Sequence, residues 1–194
     1  MAALPFVSPF STGSDGAAST GVASAVRLDD LTAGLALLHL QGRGALDVLA
    51  EVFGDSPRTP GAVSERGAVL LAALRPDIAA VFVPAAESEA VAARLAAAAA
   101  SRVTLLDVSH GRGIIALSGP HAAAVLSRLC GLDFREPALP NQHAAQTSLA
   151  KVRALIVRAG EGAAARYLLA VNRSHGAYVW AALAGAMEEF LEGR

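Results

Sequence analysis

The chain repeats itself. One constant offset carries Leu37-Leu38-His39-Leu40-Gln41-Gly42 onto Ile114-Ile115-Ala116-Leu117-Ser118-Gly119, and Ala45, Val48, Leu49 and Val52 onto Ala122, Val125, Leu126 and Leu129. Both quartets have the i, i+3, i+4, i+7 spacing of one helical face. Glu51 falls on Arg128, so the outward face is polar in both copies. Gly54 falls on Gly131, where each helix needs a left-handed stop. The offset then lengthens. Val81-Phe82-Val83 matches Leu169-Ala170-Val171, and Val91 and Leu95 match Val179 and Leu183. The additional residues sit between Gly131 and Tyr167, in turn-rich DFREPALPNQHAAQ and RAGEGAAAR.

Each copy therefore reads strand, helix, hairpin of two strands, helix. That order is one strand short of a split βαβ sandwich. RVTLLDVS, residues 102–109, supplies the strand in the first copy. The second copy ends on a helix lined by Val179, Leu183, Ala186 and Phe190, so its last strand must be borrowed. The unassigned apolar run VASAVRL, 22–28, is the expected donor. The expected fold is α+β, two fused ferredoxin-like pseudo-repeats, each βαββα plus a further strand. Residues 1–20 are a flexible arm, 21–109 the first pseudo-repeat and 110–194 the second, folding as one integrated unit.

Composition narrows the classes of function. Apolar residues make up 54% of the 194 but aromatics only 5%, which suits closely packed helices on a thin sheet better than a deep pocket. A formal charge of −1 gives no reason to expect nucleic acid or an anionic membrane as partner. The most apolar stretch, 77–102, is broken by Pro84, Glu87, Glu89 and Arg94 before it could span a bilayer, and the amino terminus lacks a secretory pattern. One cysteine, Cys130, reads as a buried thiol of an intracellular, cytoplasmic protein.

Candidate sites concentrate in DVSHGRGIIALSGPHAAAVLSRLCGLDF, 107–134. Gly111-Arg-Gly113-Ile-Ile-Ala116 matches a dinucleotide fingerprint in letters, but it precedes a strand, whereas the fingerprint must open a helix. Gly111 and Gly113 are expected to serve positive φ in a tight link between two strands. Ser118-Gly119-Pro120 is a strand-to-helix turn with proline near the first helical position. Asp107 and Ser109 alternate onto one strand face and His110 onto the other, so no nucleophilic relay forms, and the segment reads as a polar strand end bonded to its own turn. The five histidines, His39, His110, His121, His143 and His175, have no i, i+4 spacing and no Cys-x-x-Cys, so no metal site is expected. No catalytic or cofactor-binding residue is assigned. His110, Arg112, Arg173, His175, Tyr178 and Trp180 are candidates for contact with a partner, the tryptophan having a core position as its alternative.

The second half resembles a known family. Asp107, Ser109 and Arg112, the strand into Ser118-Gly119 and Ala122, the helix end Leu126, Leu129 and Asp133, Thr147 opening a strand, and Arg173-Ser174 with Tyr178 and Trp180 fall in order over about residues 104–184. This arrangement resembles the gamma subunit of heterotetrameric sarcosine oxidase, whose opening is also similar to Ser8-Pro9-Phe10. The resemblance implies an aminomethyltransferase-like, folate-domain-like fold without a catalytic residue of its own. It implies a role as structural subunit docking on a large alpha subunit, in a complex that demethylates sarcosine to glycine and passes the one-carbon unit to tetrahydrofolate. FAD, FMN, NAD, tetrahydrofolate and zinc would sit on the alpha, beta and delta subunits. Two other readings stand beside it: a free-standing folate-binding or aminomethyltransferase-like protein, and a homodimeric ferredoxin-like small-molecule sensor.

Overall fold

A computed structural model describes residues 8–10, 19–20, 26–160 and 165–191. The first copy comprises β3 (Leu35–Gln41), α1 (Ala45–Phe53), β4 (Val63–Arg66), β5 (Val69–Arg75), β6 (Ile78–Pro84), α2 (Ser88–Ala99) and β7 (Thr104–Asp107). The second comprises β8 (Arg112–Ser118), α3 (Ala122–Leu129), β9 (His143–Leu149), β10 (Val152–Ala159), β11 (Arg166–Asn172) and α4 (Gly176–Leu191). Before them come β1 (Ser19–Thr20) and β2 (Arg27–Asp30).

The strands form two antiparallel sheets with one shared order. Written from the same edge, the first is β7-β3-β6-β5-β4 and the second β2-β8-β11-β10-β9, with β1 beyond β2. The place corresponding to β7 in the second sheet is taken by β2, which pairs Arg27 with Ser118 and Asp30 with Ile115. This strand starts later than the run 22–28, of which residues 22–25 lie outside the described residues. Each copy also carries a strand more than a two-strand hairpin. β4 and β9 turn the hairpins into three-strand meanders, so each unit is the ferredoxin-like order with an added edge strand.

The sheets pack face to face. Leu37, Leu70 and Phe82 from one meet Ile114, Leu155 and Leu168 from the other, and five of the thirteen buried residues in this layer are alanines. Small side chains let facing sheets approach closely. On the outer faces, α1 and α2 cover the first sheet through Leu38, Leu40, Val48, Leu49, Val91 and Leu95. The second sheet is covered by α3 and α4 through Val125, Leu126, Val179, Leu183 and Met187. Both faces of the central strands are therefore buried, which explains their unbroken apolar runs. At one edge the sheets are stitched by main-chain bonds, Val63 N–H to Gln142 O at 2.9 Å and Ala144 N–H to Gly61 O at 2.7 Å.

Gly42 (φ 135°) and Gly119 (φ 108°) make the same turn from strand to helix in the two copies. Gly54 stops α1 with the positive φ expected, 76°, but at ψ −130° and so outside the left-handed helical conformation, and Gly131 does not adopt positive φ at all. There α3 gives way to an extended Cys130, whose Sγ accepts the Leu132 N–H at 3.4 Å, so no left-handed residue is needed. Most of the arm expected at 1–20 lies outside the described residues. At Ser8–Phe10 the chain is anchored: Phe10 is 3% exposed, its ring centroid is 5.4 Å from that of Trp180, and the Ser8 hydroxyl donates to the Asp30 carboxylate.

Candidate functional site

The antiparallel pairing of β8 and β11 sets Arg112 opposite Asn172, so the amino end of one strand lies beside the carboxyl end of the other. The Arg112 guanidinium donates to Asn172 Oδ1 at 2.5 Å. Just before β8, Ser109–Gly111 forms a 3-10 turn carrying an exposed His110. Just after β11, Arg173–His175 forms another, with Arg173 half-buried and His175 exposed, and leads into α4. Tyr178, on the first turn of α4, is 54% exposed. Five of the six candidate residues thus gather around one end of the second sheet. Trp180 departs from them, half-buried against Phe10.

Neither Gly111 nor Gly113 has positive φ, contrary to the expectation for that link. Gly111 lies in the 3-10 turn and Gly113 is a regular residue of β8. What Gly113 provides is room: a Cβ there would lie 2.4 Å from Phe10 Cζ. A Cβ on Gly176 would likewise meet Pro9 Cβ at 2.7 Å. With the helix beginning only at Ala122, Gly111 and Gly113 present no helix amino terminus to a pyrophosphate.

Ser109 is fully engaged. Its N–H and hydroxyl both donate to Asp107 Oδ1, at 2.9 and 2.5 Å, and its Oγ accepts the Leu37 N–H at 2.9 Å. No imidazole takes part in this network, which makes it a strand-end lock tying β7 to β3 and gives no activated nucleophile. Cys130 is buried with its Sγ 3.6 Å from Thr147 Oγ1. No group of three or more His, Cys, Asp or Glu side chains among the described residues is placed to hold a metal ion.

Among the described residues, openings enter the layer between the sheets at two places. One, of about 280 Å³, is lined by Leu35, Glu65, Gly67, Phe82, Arg166 and Leu168. The other, of about 80 Å³, is lined by His39, Arg112, Gln146 and Arg153 with Leu37 and Leu155. Of the His39 ring, Nε2 is buried without a hydrogen-bond partner. Burial, and secondarily the Arg112 guanidinium, lower the His39 pKa and favour the neutral ring. The Arg112 pKa is lowered by burial and then by Arg153. His39 and Arg153 were not singled out from sequence. The available signal was alternation: His39 shares the face of Leu37, and Arg153 that of Leu155.

Residues 61–191 match the GCVT N-terminal domain family. Over 125 residues, 62% of the chain, the sequence is 36% identical to the sarcosine oxidase subunit gamma of Corynebacterium sp. (strain P-1), and the match spans 60% of that relative's length. Among solved structures, a chain of heterotetrameric sarcosine oxidase from Corynebacterium sp. U-96, in complex with pyrrole 2-carboxylate, superposes with a TM-score of 0.78 at 26% identity. That superposition covers 91% of this chain and 90% of the other. The glycine cleavage system aminomethyltransferase T from Bartonella henselae shares the fold, with a TM-score of 0.64 and 19% identity over 80% of this chain and 44% of that one.

Proposed function

This chain belongs to the GCVT N-terminal domain family, and from that premise we propose that it is a structural, non-catalytic subunit of a sarcosine oxidase-type heterotetrameric flavoenzyme in the cytoplasm. It docks on a large alpha subunit and holds that subunit's folate-handling domain in position. The complex oxidatively demethylates sarcosine to glycine and delivers the one-carbon unit to tetrahydrofolate. FAD, FMN, NAD, the tetrahydrofolate site and zinc belong to the alpha, beta and delta subunits.

The observation that carries this reading is the likeness to a chain of a heterotetrameric sarcosine oxidase, which runs almost end to end on both chains. The Asp107-Ser109 lock supports a non-catalytic role, since its hydroxyl is spent on structure. Among the described residues, no helix is long and apolar enough to cross a membrane. We place the docking face at the end of the second sheet, where His110, His175 and Tyr178 are exposed and Arg173 is half-buried beside them.

Affinity purification of the tagged full chain from its native cells tests the proposal. A large flavin-containing subunit should co-purify, and Tyr178→Ala should weaken its retention about tenfold or more, as expected for an aromatic anchor. Recovery without any flavoprotein would overturn it. Calorimetry of the isolated chain with tetrahydrofolate should give no saturable heat; clear binding would favour a free-standing folate protein instead.

A further inference from the structure

The small opening between the sheets gathers positive charge without a counterion. Arg112 enters it from β8, Arg153 from β10 and His39 from β3 on the facing sheet, while Gln146 on β9 adds an amide donor. No Asp or Glu lines it. Among the described residues neither Arg112 nor Arg153 forms an ion pair, whereas eight other arginines do and Arg43, Arg94 and Arg166, like these two, do not. The single side-chain bond that Arg112 makes is to the neutral Asn172. His39 adds a buried Nε2 with no partner.

The buried, unpartnered Nε2 of His39 is costly, and two guanidiniums facing one recess repel. Such an arrangement persists at low cost when a negative group completes it. Guanidiniums bind planar carboxylate and tetrahedral phosphate oxygens through paired, charge-assisted hydrogen bonds. The cavity, about 80 Å³, has room for several waters and so for a phosphate or for one carboxylate end of a larger anion.

We propose that this cleft is a binding site for a small oxyanion, a carboxylate or phosphate group, held by Arg112, Arg153 and His39. The guanidiniums supply the charge, and the imidazole closes the inner end with a donor from the opposite sheet. A bound anion would thereby couple the two pseudo-repeats. The depressed pKa values of His39 and Arg112 describe the same need, since each is set by burial and then by a neighbouring cation. This site is independent of docking: the chain alone should fill it whether or not a partner is present.

Inorganic phosphate and succinate, titrated separately into the full chain in a chloride-free buffer, test the proposal. The imidazole resonances are followed by NMR, with His39 assigned from its loss in His39→Gln. One or both anions should shift the His39 signal saturably. Saturation by phosphate alone identifies a phosphoryl group, by succinate alone a carboxylate, and by both a general oxyanion site. Arg112→Gln and Arg153→Gln should each weaken binding about tenfold, the scale of one charge-assisted bond. Arg153 is exposed, so its replacement tests binding even where loss of the Arg112–Asn172 bond perturbs the strand end. No movement of the His39 signal with either anion, or unchanged affinity in Arg153→Gln, would overturn the site.

Discussion

An alanine methyl at Gly113 would lie 2.4 Å from Phe10 Cζ and 3.0 Å from Pro9 Cγ. Gly113→Ala should therefore expel or displace the Phe10 ring and destabilise the fold by about 1–3 kcal/mol, the usual cost of overpacking. In a Phe10→Ala background the same change should cost much less, because the clashing atoms are gone; unfolding midpoints of the four variants measure the coupling. If Gly113→Ala costs the same in both backgrounds, Phe10 is not what keeps the residue small. Sequence reasoning found this glycine but gave it the wrong reason. A local reading offers positive φ as the use of glycine, while the actual neighbour is about a hundred positions away and no pattern announces it. His39 carries a second expectation at this scale. Its folded pKa lies below the unfolded value of about 6.5, so below that pH the unfolded chain takes up a proton that the folded chain resists. The stability present above about pH 6.5 should fall as pH is lowered, and His39→Gln should flatten the fall in denaturant midpoints between pH 7 and 5.

The connection between α3 and β9 is held from beneath by Arg158 of β10. This side chain is 8% exposed, pairs with Glu136 at 3.0 Å and donates to the carbonyls of Leu139 and Phe134. On the surface, the Arg135 side chain and N–H bind Asp133, whose carboxyl is drawn down to about 2, chiefly by the side-chain bond. Arg158→Ala would strand two carbonyls, and it should cost about 2–3 kcal/mol in chemical denaturation and raise proteolysis within 130–142. Loss below about 0.5 kcal/mol would show that this connection needs no such support. The helices and central strands were legible because apolar period and turn agree in both copies. β4 and β9 were not, since VSER and HAAQTSL are half-exposed edge strands in which polar residues break the apolar run. The extra length after Gly131 read as loop alone, although part of it is β9. In the candidate site, the sequence offers the residues near the strand ends only as contact candidates, whereas the His39, Arg112 and Arg153 cleft required knowing which sheet faces meet.

At the scale of the molecule, two copies of one unit lie sheet to sheet, with the helices outside and a short strand, β2, carried across from ahead of the first unit. Duplication and a missing edge were visible in the sequence. Face-to-face packing was not, because strands covered on both sides show no preferred inner face. The crossing strand has a consequence for how the protein is made. β2 leaves the ribosome before the whole first unit and β8, its neighbour, only after it, so the border strand of the second sheet must wait for its partner while that unit is made. Long-range pairing of this kind slows folding. Opening the chain in the turn between β2 and β3 and joining the old ends would place β2 after α4, so that each unit becomes contiguous. Such a permutant should keep the native circular dichroism and refold faster in stopped-flow measurements, and equal or slower refolding would remove the crossing as the bottleneck. A ribosome-bound chain truncated before β8 would present β2 as an orphan border, open to any other strand within reach.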